Sequence, residues 1–253
     1  MLDFIYPIDY SIFMITAFPK KYFLRKDNPS NTSLPTVLPA FREPLRNFIL
    51  SLPHQAKVLD AGCGGGKVSY LIRTYRPDIE IYANDISDVE QYLPKGVKFT
   101  RVSIESLDQS YPPSFFDAVI SLHVIEHLLY PMNMIQSIRD TLKPQGKLFI
   151  ETPNWTRLFM PFPPGQFFWD DYTHIRPYSK FSLRKLLEEY EFSLIDTHAL
   201  ISTTLTIHPS PSIKQVQART MIFHQNPITL FKKIIRRLIL RFVPDVLIAI
   251  ATK

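Results

Sequence analysis

A glycine-rich stretch, Lys57 to Gly66, is the part of the sequence best suited to hold a ligand. Its apolar residues Val58 and Leu59 are typical of a buried parallel strand. The glycines that follow permit positive φ angles and a close approach of the backbone to a bound molecule. Residues 67–75 then predict a helix, whose first N–H groups would face whatever the loop holds.

The spacing of these glycines argues against two familiar nucleotide-binding loops. A P-loop requires Gly, four residues and then Gly-Lys-Ser/Thr, but Ala61 and Val68 occupy its first and last positions. A dinucleotide fingerprint requires a glycine at the sixth position counted from Gly62, where this chain has Lys67. The stretch is therefore a loop for another class of ligand. The structural alternative is a tight turn that binds nothing.

An acidic residue ends the next predicted strand, which runs from Ile79 to Asp85. In an α/β sheet that binds nucleosides, a carboxylate at this place accepts hydrogen bonds from ribose hydroxyls. The structural alternative is an Asx turn in which Asp85 bonds the backbone of Ser87. We favour the ribose contact because of the position of Asp85 at the strand end.

Further titratable residues follow the predicted strand 116–121. His123, Glu126 and His127 match the His-x-x-Glu-His signature of some zinc proteases. Because they follow directly on a core strand, we favour a place at the rim of a sheet over a protease site. For Glu126 and His127 themselves we favour a structural role, in which they cap and pack the following helix.

A second group lies in the long loop that follows the predicted strand 147–152. It contains Asp171 and His174. A histidine beside a carboxylate can accept a proton from a hydroxyl near neutral pH. His174 is therefore the preferred candidate for a general base.

The pattern of strands and helices predicts an α/β fold with a doubly wound, mostly parallel seven-stranded sheet. Right-handed crossovers place the carboxyl ends of the parallel strands on one rim, where the site should lie. The remaining predicted strands are 97–102, 192–198 and 244–252, and the remaining predicted helices are 39–52, 131–142, 182–190 and 228–242.

Composition sets limits on the class of protein. The 253 residues suffice for one hydrophobic core. The single cysteine, Cys63, excludes an intramolecular disulfide and suits a reducing compartment. The sequence predicts no signal peptide and no spanning helix, hence a cytoplasmic protein. The net charge of +6 would suit an anionic partner, but the basic residues do not gather at the predicted rim, so no nucleic acid is expected.

Three segments are expected to surround or interrupt the core. Residues 1–35 form an N-terminal extension to a domain at 36–253. Residues 153–181 form an aromatic lid or acceptor loop, and residues 201–242 form an insertion. The insertion carries the amphipathic helix 228–242, whose basic face either stays in water or contacts an anionic membrane surface.

Six motifs taken together resemble the class I S-adenosylmethionine (SAM) methyltransferases, over roughly residues 55–200. The similarity is greatest to the small-molecule branch, which includes ubiquinone-pathway O-methyltransferases and sugar or lipid methyltransferases. The motifs are Val58-Leu-Asp-Ala-Gly-Cys-Gly-Gly-Gly66, Ala83-Asn-Asp-Ile-Ser87, Phe116-Asp-Ala-Val-Ile-Ser121, Val124-Ile-Glu-His-Leu128, Leu142-Lys-Pro-Gln-Gly146 and Thr152-Pro-Asn154.

The resemblance implies SAM as the cofactor and assigns its contacts. The loop, with Asp60, Gly62, Gly64 and Gly66, would contact the methionine part. Asp85 would bind the ribose, Ser103, Ile104 and Glu105 the adenine edge, and Leu122 and His123 would line the methyl-donor rim. The family usually has an acidic residue where Ser103 stands, so Glu105 or backbone groups would recognise adenine. It also usually has Gly in place of Gln145, which is tolerable if Gly146 alone takes the positive φ.

The implied reaction is methyl transfer to a small-molecule, glycan or lipid-linked acceptor, most simply at a hydroxyl oxygen. The expected catalytic residues are His174, Asp171 and His123. Similar O-methyltransferases hold a divalent metal with Glu-x-x-Glu-His, but His123 replaces the first Glu here. A metal at His123, Glu126 and His127 is therefore possible but not favoured. The alternative function is a partner protein that binds SAM without turnover.

Overall fold

The computed structural model describes residues 43–154, 168–200 and 246–253, except the side chain of Asp170. Several expectations lie outside these residues: the N-terminal extension 1–35, residues 155–167 of the lid, the insertion 201–242 and its amphipathic helix. They stay predictions.

Seven strands form a single sheet in the order β3-β2-β1-β4-β5-β7-β6. Strands β1 to β5 are parallel to one another, and β7 pairs antiparallel with both β5 and β6. The predicted doubly wound, mostly parallel sheet is confirmed. The strands are β1 Lys57–Ala61, β2 Glu80–Asp85, β3 Lys98–Arg101, β4 Phe116–Leu122, β5 Leu142–Pro153, β6 Ser193–Leu200 and β7 Val246–Thr252.

Helices cover both faces of the sheet. The described helices are α1 Glu43–Leu50, α2 Lys67–Tyr75, α3 Pro131–Thr141 and α4 Lys180–Glu189. One hydrophobic cluster joins apolar residues of α1 and α2 to the sheet, and a second joins those of α3 and α4 to the opposite face. The central strands are therefore buried on both sides, which explains their continuous apolar sequences. None of the described helices is long and apolar enough to cross a membrane.

The start of β5 differs from the sequence-based expectation. The strand begins at Leu142, which pairs with Phe116, and so includes the turn that was expected to precede it. Gln145, and not Gly146, takes the positive φ of 62°. The expectation for Gly146 was therefore wrong. Glycine is needed there for space, because a Cβ would lie 2.8 Å from the Lys143 carbonyl oxygen.

Candidate functional site

The site lies where the strand order reverses, between β1 and β4. Chains leaving the carboxyl ends of these two strands turn toward opposite sides of the sheet, which opens a crevice. The glycine loop follows β1, Asp85 ends β2, and His123 follows β4. The topology thus brings the residues singled out by the sequence to one edge.

The glycine loop is held to the end of β2 by its backbone. The N–H groups of Gly62 and Cys63 both donate to the Asn84 carbonyl, at 3.0 and 2.9 Å. Gly62, Gly64 and Gly66 have φ angles of 72°, 48° and 74°. At Gly62 a Cβ would also lie 2.4 Å from Val124 Cγ2, so this position requires glycine for both conformation and space.

Asp60 anchors the helix that follows the loop. Its Oδ2 accepts hydrogen bonds from the Ser69 N–H at 2.9 Å and from the Ser69 hydroxyl at 2.7 Å. The side chain is buried, and this burial raises the pKa of Asp60 to about 6 despite the two hydrogen bonds. Asp60 therefore fixes the start of α2, and a contact with a ligand would be an additional role.

The carboxylate of Asp85 is partly buried and already engaged. Oδ2 accepts from the Gly64 N–H at 3.0 Å and Oδ1 from the Ser87 N–H at 2.8 Å, so the Asx turn considered above does form. Each carboxylate oxygen can accept a second hydrogen bond, so the turn leaves capacity for hydroxyl donors. Burial raises the pKa of Asp85, partly offset by these backbone bonds.

The expected adenine edge follows β3. Ser103 Oγ accepts from the Glu105 N–H at 3.2 Å, and Ile104 is buried in the core. Within the described part of the chain, Glu105 Oε1 is buried and has no hydrogen-bond partner. Burial accordingly raises the pKa of Glu105. A buried acceptor of this kind fits a ligand that carries N–H donors, such as the adenine amino group.

His123 follows β4 directly and has a φ of 55°, which is unusual for a residue with a side chain. Its Nδ1 lies 3.2 Å from Glu126 Oε1 and its Nε2 lies 3.0 Å from Glu151 Oε1. Burial alone would lower the pKa of His123, but the hydrogen bonds to the two carboxylates outweigh it and raise the pKa to about 9. At neutral pH the ring is an imidazolium and has no lone pair for a proton or a metal. Leu122, just before it, is partly buried at the end of β4.

Glu126 is fully buried and bonds to three parts of the chain. Its Oε2 accepts from the Thr152 hydroxyl at 3.0 Å, beside the contact of Oε1 with His123. Its backbone carbonyl accepts from the N–H groups of Ile175 at 2.8 Å and Arg176 at 3.2 Å. Burial alone would raise the pKa of Glu126, but His123 lowers it below the usual value, so Glu126 is ionised.

His174 has a lone pair whose direction can be deduced. Its Nδ1 lies 2.6 Å from the Phe168 carbonyl oxygen, which can only accept, so Nδ1 carries the proton and Nε2 is free to accept one. Nε2 lies 3.7 Å from Asp171 Oδ2. Burial lowers the pKa of His174, partly offset by the bond to Phe168, so the ring is neutral at pH 7.

His127 is oriented in the same way and lies beside His174. Its Nδ1 is 3.1 Å from the Thr173 carbonyl oxygen, and the two rings are 4.8 Å apart. The donor atoms of Glu126, His127 and His174 all lie within 4.8 Å of one another, so these three could hold a metal ion. This trio has His174 where the sequence suggested His123. Both carboxylate oxygens of Glu126, however, are already hydrogen-bonded.

Three residues that sequence reasoning did not select contribute to the site. Glu151 and Thr152 lie near the end of β5 and bond to His123 and Glu126, and Thr173 bonds to His127. Glu151 and Thr152 lie within or beside the Thr152-Pro-Asn154 motif, and Thr173 precedes His174, so their positions were marked although their partners were not.

A sheet of this order, with a glycine loop after β1 and a carboxylate ending β2, defines a SAM-binding methyltransferase of class I. A family model described as a methyltransferase domain matches residues 36–197. The chain belongs to this methyltransferase family, and SAM is its cofactor.

Its relatives of known activity include ubiquinone biosynthesis O-methyltransferases. That of Xanthomonas campestris pv. campestris is 34% identical over 115 residues, which cover 40% of this chain and 44% of the relative. The mitochondrial enzyme of Mus musculus is 33% identical over 112 residues, which cover 40% of this chain and 30% of the relative. The chain thus matches less than half the length of these relatives.

Solved structures share the fold. A SAM-dependent methyltransferase from Archaeoglobus fulgidus superposes with a TM-score of 0.59 at 22% identity, covering 83% of this chain and 91% of that one. A phosphoethanolamine N-methyltransferase 2 of Haemonchus contortus in complex with SAM gives a TM-score of 0.55 at 16% identity, covering 83% of this chain and 52% of that one. At these identities the likeness concerns the fold alone.

Proposed function

We propose that this methyltransferase acts on a hydroxyl oxygen of a small-molecule acceptor, with His174 as the general base. The observation that carries the proposal is the contact between His174 Nδ1 and the Phe168 carbonyl oxygen at 2.6 Å, which places the ring proton on Nδ1 and leaves Nε2 free to accept one. A hydroxyl is a weak nucleophile and needs such a base, whereas a thiolate or carboxylate does not. Three features of the chain support the proposal.

First, the residues at the carboxyl ends of the parallel strands suit SAM. Asp85 has acceptor capacity left for ribose hydroxyls, and Glu105 Oε1 offers a buried acceptor to the adenine edge. Gly62, Gly64 and Gly66 let the backbone pass close to the methionine part. Asp60, Ser103, Ile104 and Leu122 complete the proposed set. SAM, when bound, supplies a methyl group on a sulfonium, which is already activated for transfer.

Second, Asp171 is placed to assist the base. Its Oδ2 lies 3.7 Å from His174 Nε2, which is too long for a hydrogen bond but close enough for electrostatic attraction. Once His174 has taken the hydroxyl proton, the Asp171 carboxylate stabilises the resulting positive charge. Asp171 is itself fixed by the Thr173 hydroxyl, which donates to Oδ1 at 2.6 Å.

Third, the relatives named above methylate oxygen in ubiquinone biosynthesis, according to their names. They support an oxygen acceptor without identifying it. A glycan or a lipid-linked molecule is equally compatible with the described residues. Contact of the helix 228–242 with an anionic membrane is a separate prediction, and flotation with liposomes that contain or lack anionic lipid tests it.

A metal-assisted variant is the second candidate, because Glu126, His127 and His174 bring three donor atoms within 4.8 Å. A metal held there would occupy the Nε2 lone pair of His174 and remove it as a base. We favour the base, because each carboxylate oxygen of Glu126 already accepts a hydrogen bond, from His123 or from Thr152, and a metal would have to share that oxygen with the existing donor.

The test is transfer of label from SAM into a fractionated cell extract, followed by mass spectrometry of the labelled product. We expect an O-methylated product whose formation is lost in His174→Ala and insensitive to chelators. Chelator-sensitive transfer that Mg²⁺ or Zn²⁺ restores would favour the metal variant. SAM binding without a labelled product in any fraction would favour a binding protein without turnover.

A further inference from the structure

The acceptor base is carried by a short segment, residues 171–176, here called the acceptor segment. It contains Asp171, Thr173 and His174, and it follows the part of the lid that lies outside the described residues. Methyl transfer requires this segment to keep a fixed place relative to the ends of β4 and β5, where the methyl group is presented. Its attachments to those strands are therefore important for catalysis.

The attachments converge on Glu126. The N–H groups of Ile175 and Arg176 both donate to the Glu126 carbonyl. The side chain of the same residue reaches the other way, to Thr152 on β5 and to His123 at the end of β4. Glu126 alone thus connects the acceptor segment to both β4 and β5.

His123 completes the connection. Its two ring nitrogens contact Glu126 and Glu151, and its backbone N–H donates to the Glu151 carbonyl at 2.8 Å. The side chains of Glu126 and Glu151 are 0% and 5% exposed, so their two negative charges are close together and poorly hydrated. An imidazolium between them neutralises part of that charge and holds both carboxylates in place.

We propose that Glu126 is the positioning residue of the acceptor segment, held by the His123 bridge to Glu151, and is neither a base nor a metal ligand. The proposal rests on the function proposed above, because it explains how the base His174 is placed. It assigns His123 a part in this bridge in place of the direct catalytic part that the sequence suggested.

The test uses Glu126→Gln, His123→Gln and the double variant His123→Gln/Glu151→Gln. The control is Glu188→Gln, which removes an exposed pair of the same i, i+3 spacing, Lys185–Glu188, on α4. Three quantities are measured: the SAM dissociation constant, the hydrogen exchange of residues 173–176, and the initial rate of label transfer from SAM to the active extract fraction.

In Glu126→Gln and His123→Gln we expect faster hydrogen exchange at residues 173–176 and a rate of label transfer about 10²-fold lower, with SAM affinity unchanged. The double variant should recover most of the rate lost in His123→Gln, because it leaves one buried carboxylate in place of two. Loss of packing at His123 would not be repaired by the second substitution, so this recovery would show that the positive charge between the two carboxylates is what matters. The control should match the wild type.

A normal rate of label transfer in Glu126→Gln, or unchanged hydrogen exchange in both single variants, would overturn the proposal. Rate loss in Glu126→Gln together with metal-dependent transfer by the wild type would make Glu126 a ligand and overturn it as well. If the wild type transfers no label, the function proposed above fails. The exchange measurement still decides whether Glu126 positions the segment.

Discussion

The Gly64 amide donates a hydrogen bond to Asp85 Oδ2 at 3.0 Å and so joins the glycine loop to the end of β2. Asp85 therefore has two tasks, because the carboxylate proposed to bind the ribose also fixes the loop proposed to hold the methionine part. A change at this residue should affect both halves of the cofactor site.

Replacing Asp85 by Ala should weaken SAM binding by about 1–3 kcal/mol, because the acceptor for the ribose hydroxyls and the tie to Gly64 are both lost. Isothermal calorimetry measures the change. Asp88→Ala, an exposed carboxylate in the following turn, is the matched control. Equal SAM affinity in the Asp85 variant and the wild type would show that Asp85 does not bind the ribose.

Replacing Gly62 by Ala should lower the free energy of unfolding by about 1–3 kcal/mol and reduce SAM affinity. The added Cβ would lie 2.4 Å from Val124 Cγ2 at a φ of 72°. Gly62→Ala/Val124→Ala should recover part of the stability, because it removes the clash and leaves the backbone strain. Denaturant unfolding measures the stability of the single and the double variant. A fully stable Gly62→Ala protein would contradict the described loop.

Replacing Asp60 by Asn should stabilise the protein at neutral pH. The pKa of Asp60 is raised from 3.8 to about 6 in the folded state, so stability falls as pH rises through this window. An Asn oxygen can still accept both bonds from Ser69, and the penalty for burying a charge disappears. We expect a gain of about 1–3 kcal/mol at pH 7.

Below pH 4 that gain should vanish, because Asp60 is then protonated in both states. Denaturant unfolding at pH 4 and pH 7 measures the difference, with the exposed Asp88→Asn as control. A gain that is equal at both pH values would mean that ionisation of Asp60 does not cause it.

Replacing His174 by Ala should lower the rate of methyl transfer by about 10²- to 10⁴-fold with little change in SAM affinity. His198→Ala is the control, since His198 forms an exposed pair with Asp196 on the outermost strand β6. The two variants are compared by label transfer and calorimetry. Near-normal transfer by His174→Ala would exclude it as the base.

The pH dependence of transfer provides a further check on His174. Burial and neighbouring His127 lower its pKa below 6.5, while the Phe168 carbonyl, Glu126 and Asp171 oppose this. The neutral, active form should therefore persist below pH 6.5, and kcat should fall only at lower pH. The fall should be absent from the residual activity of His174→Ala. A midpoint above 6.5 would contradict the described environment.

Local sequence patterns predicted much of the fold. The strand that ends at Asp85 and the helix at residues 131–141 were placed within a residue or two, because burial and periodicity determine them. The start of β5 was missed because Leu142 joins the strand through a partner, Phe116, on another strand. The positive φ of Gln145 was missed because it was assigned to the glycine beside it. Gly146 is present for lack of space and not for its φ angle.

The site was predictable as a set of residues but not as a set of contacts. His123, Glu126 and His174 were identified from their types and their places after strands. Two of their partners lie far away in sequence, Glu151 for His123 and Ile175 for Glu126. The partner of His174, Phe168, is only six residues away but is brought to it by a loop turn. The protonation states of both histidines depend on these partners, so only the folded chain could reveal which one stays neutral.

The position of β7 has a consequence for how the protein is made. Residues 246–252 follow every other strand in the chain, yet they lie between β5 and β6. During synthesis, β5 and β6 therefore have unpaired edges until β7 has been made. β5 alone pairs with seven residues of β7, from Lys147–Thr252 to Pro153–Val246. Completion of the sheet is therefore a late step in the folding of the nascent chain. Until then the unpaired, apolar edge of β5 is where chaperones would be needed.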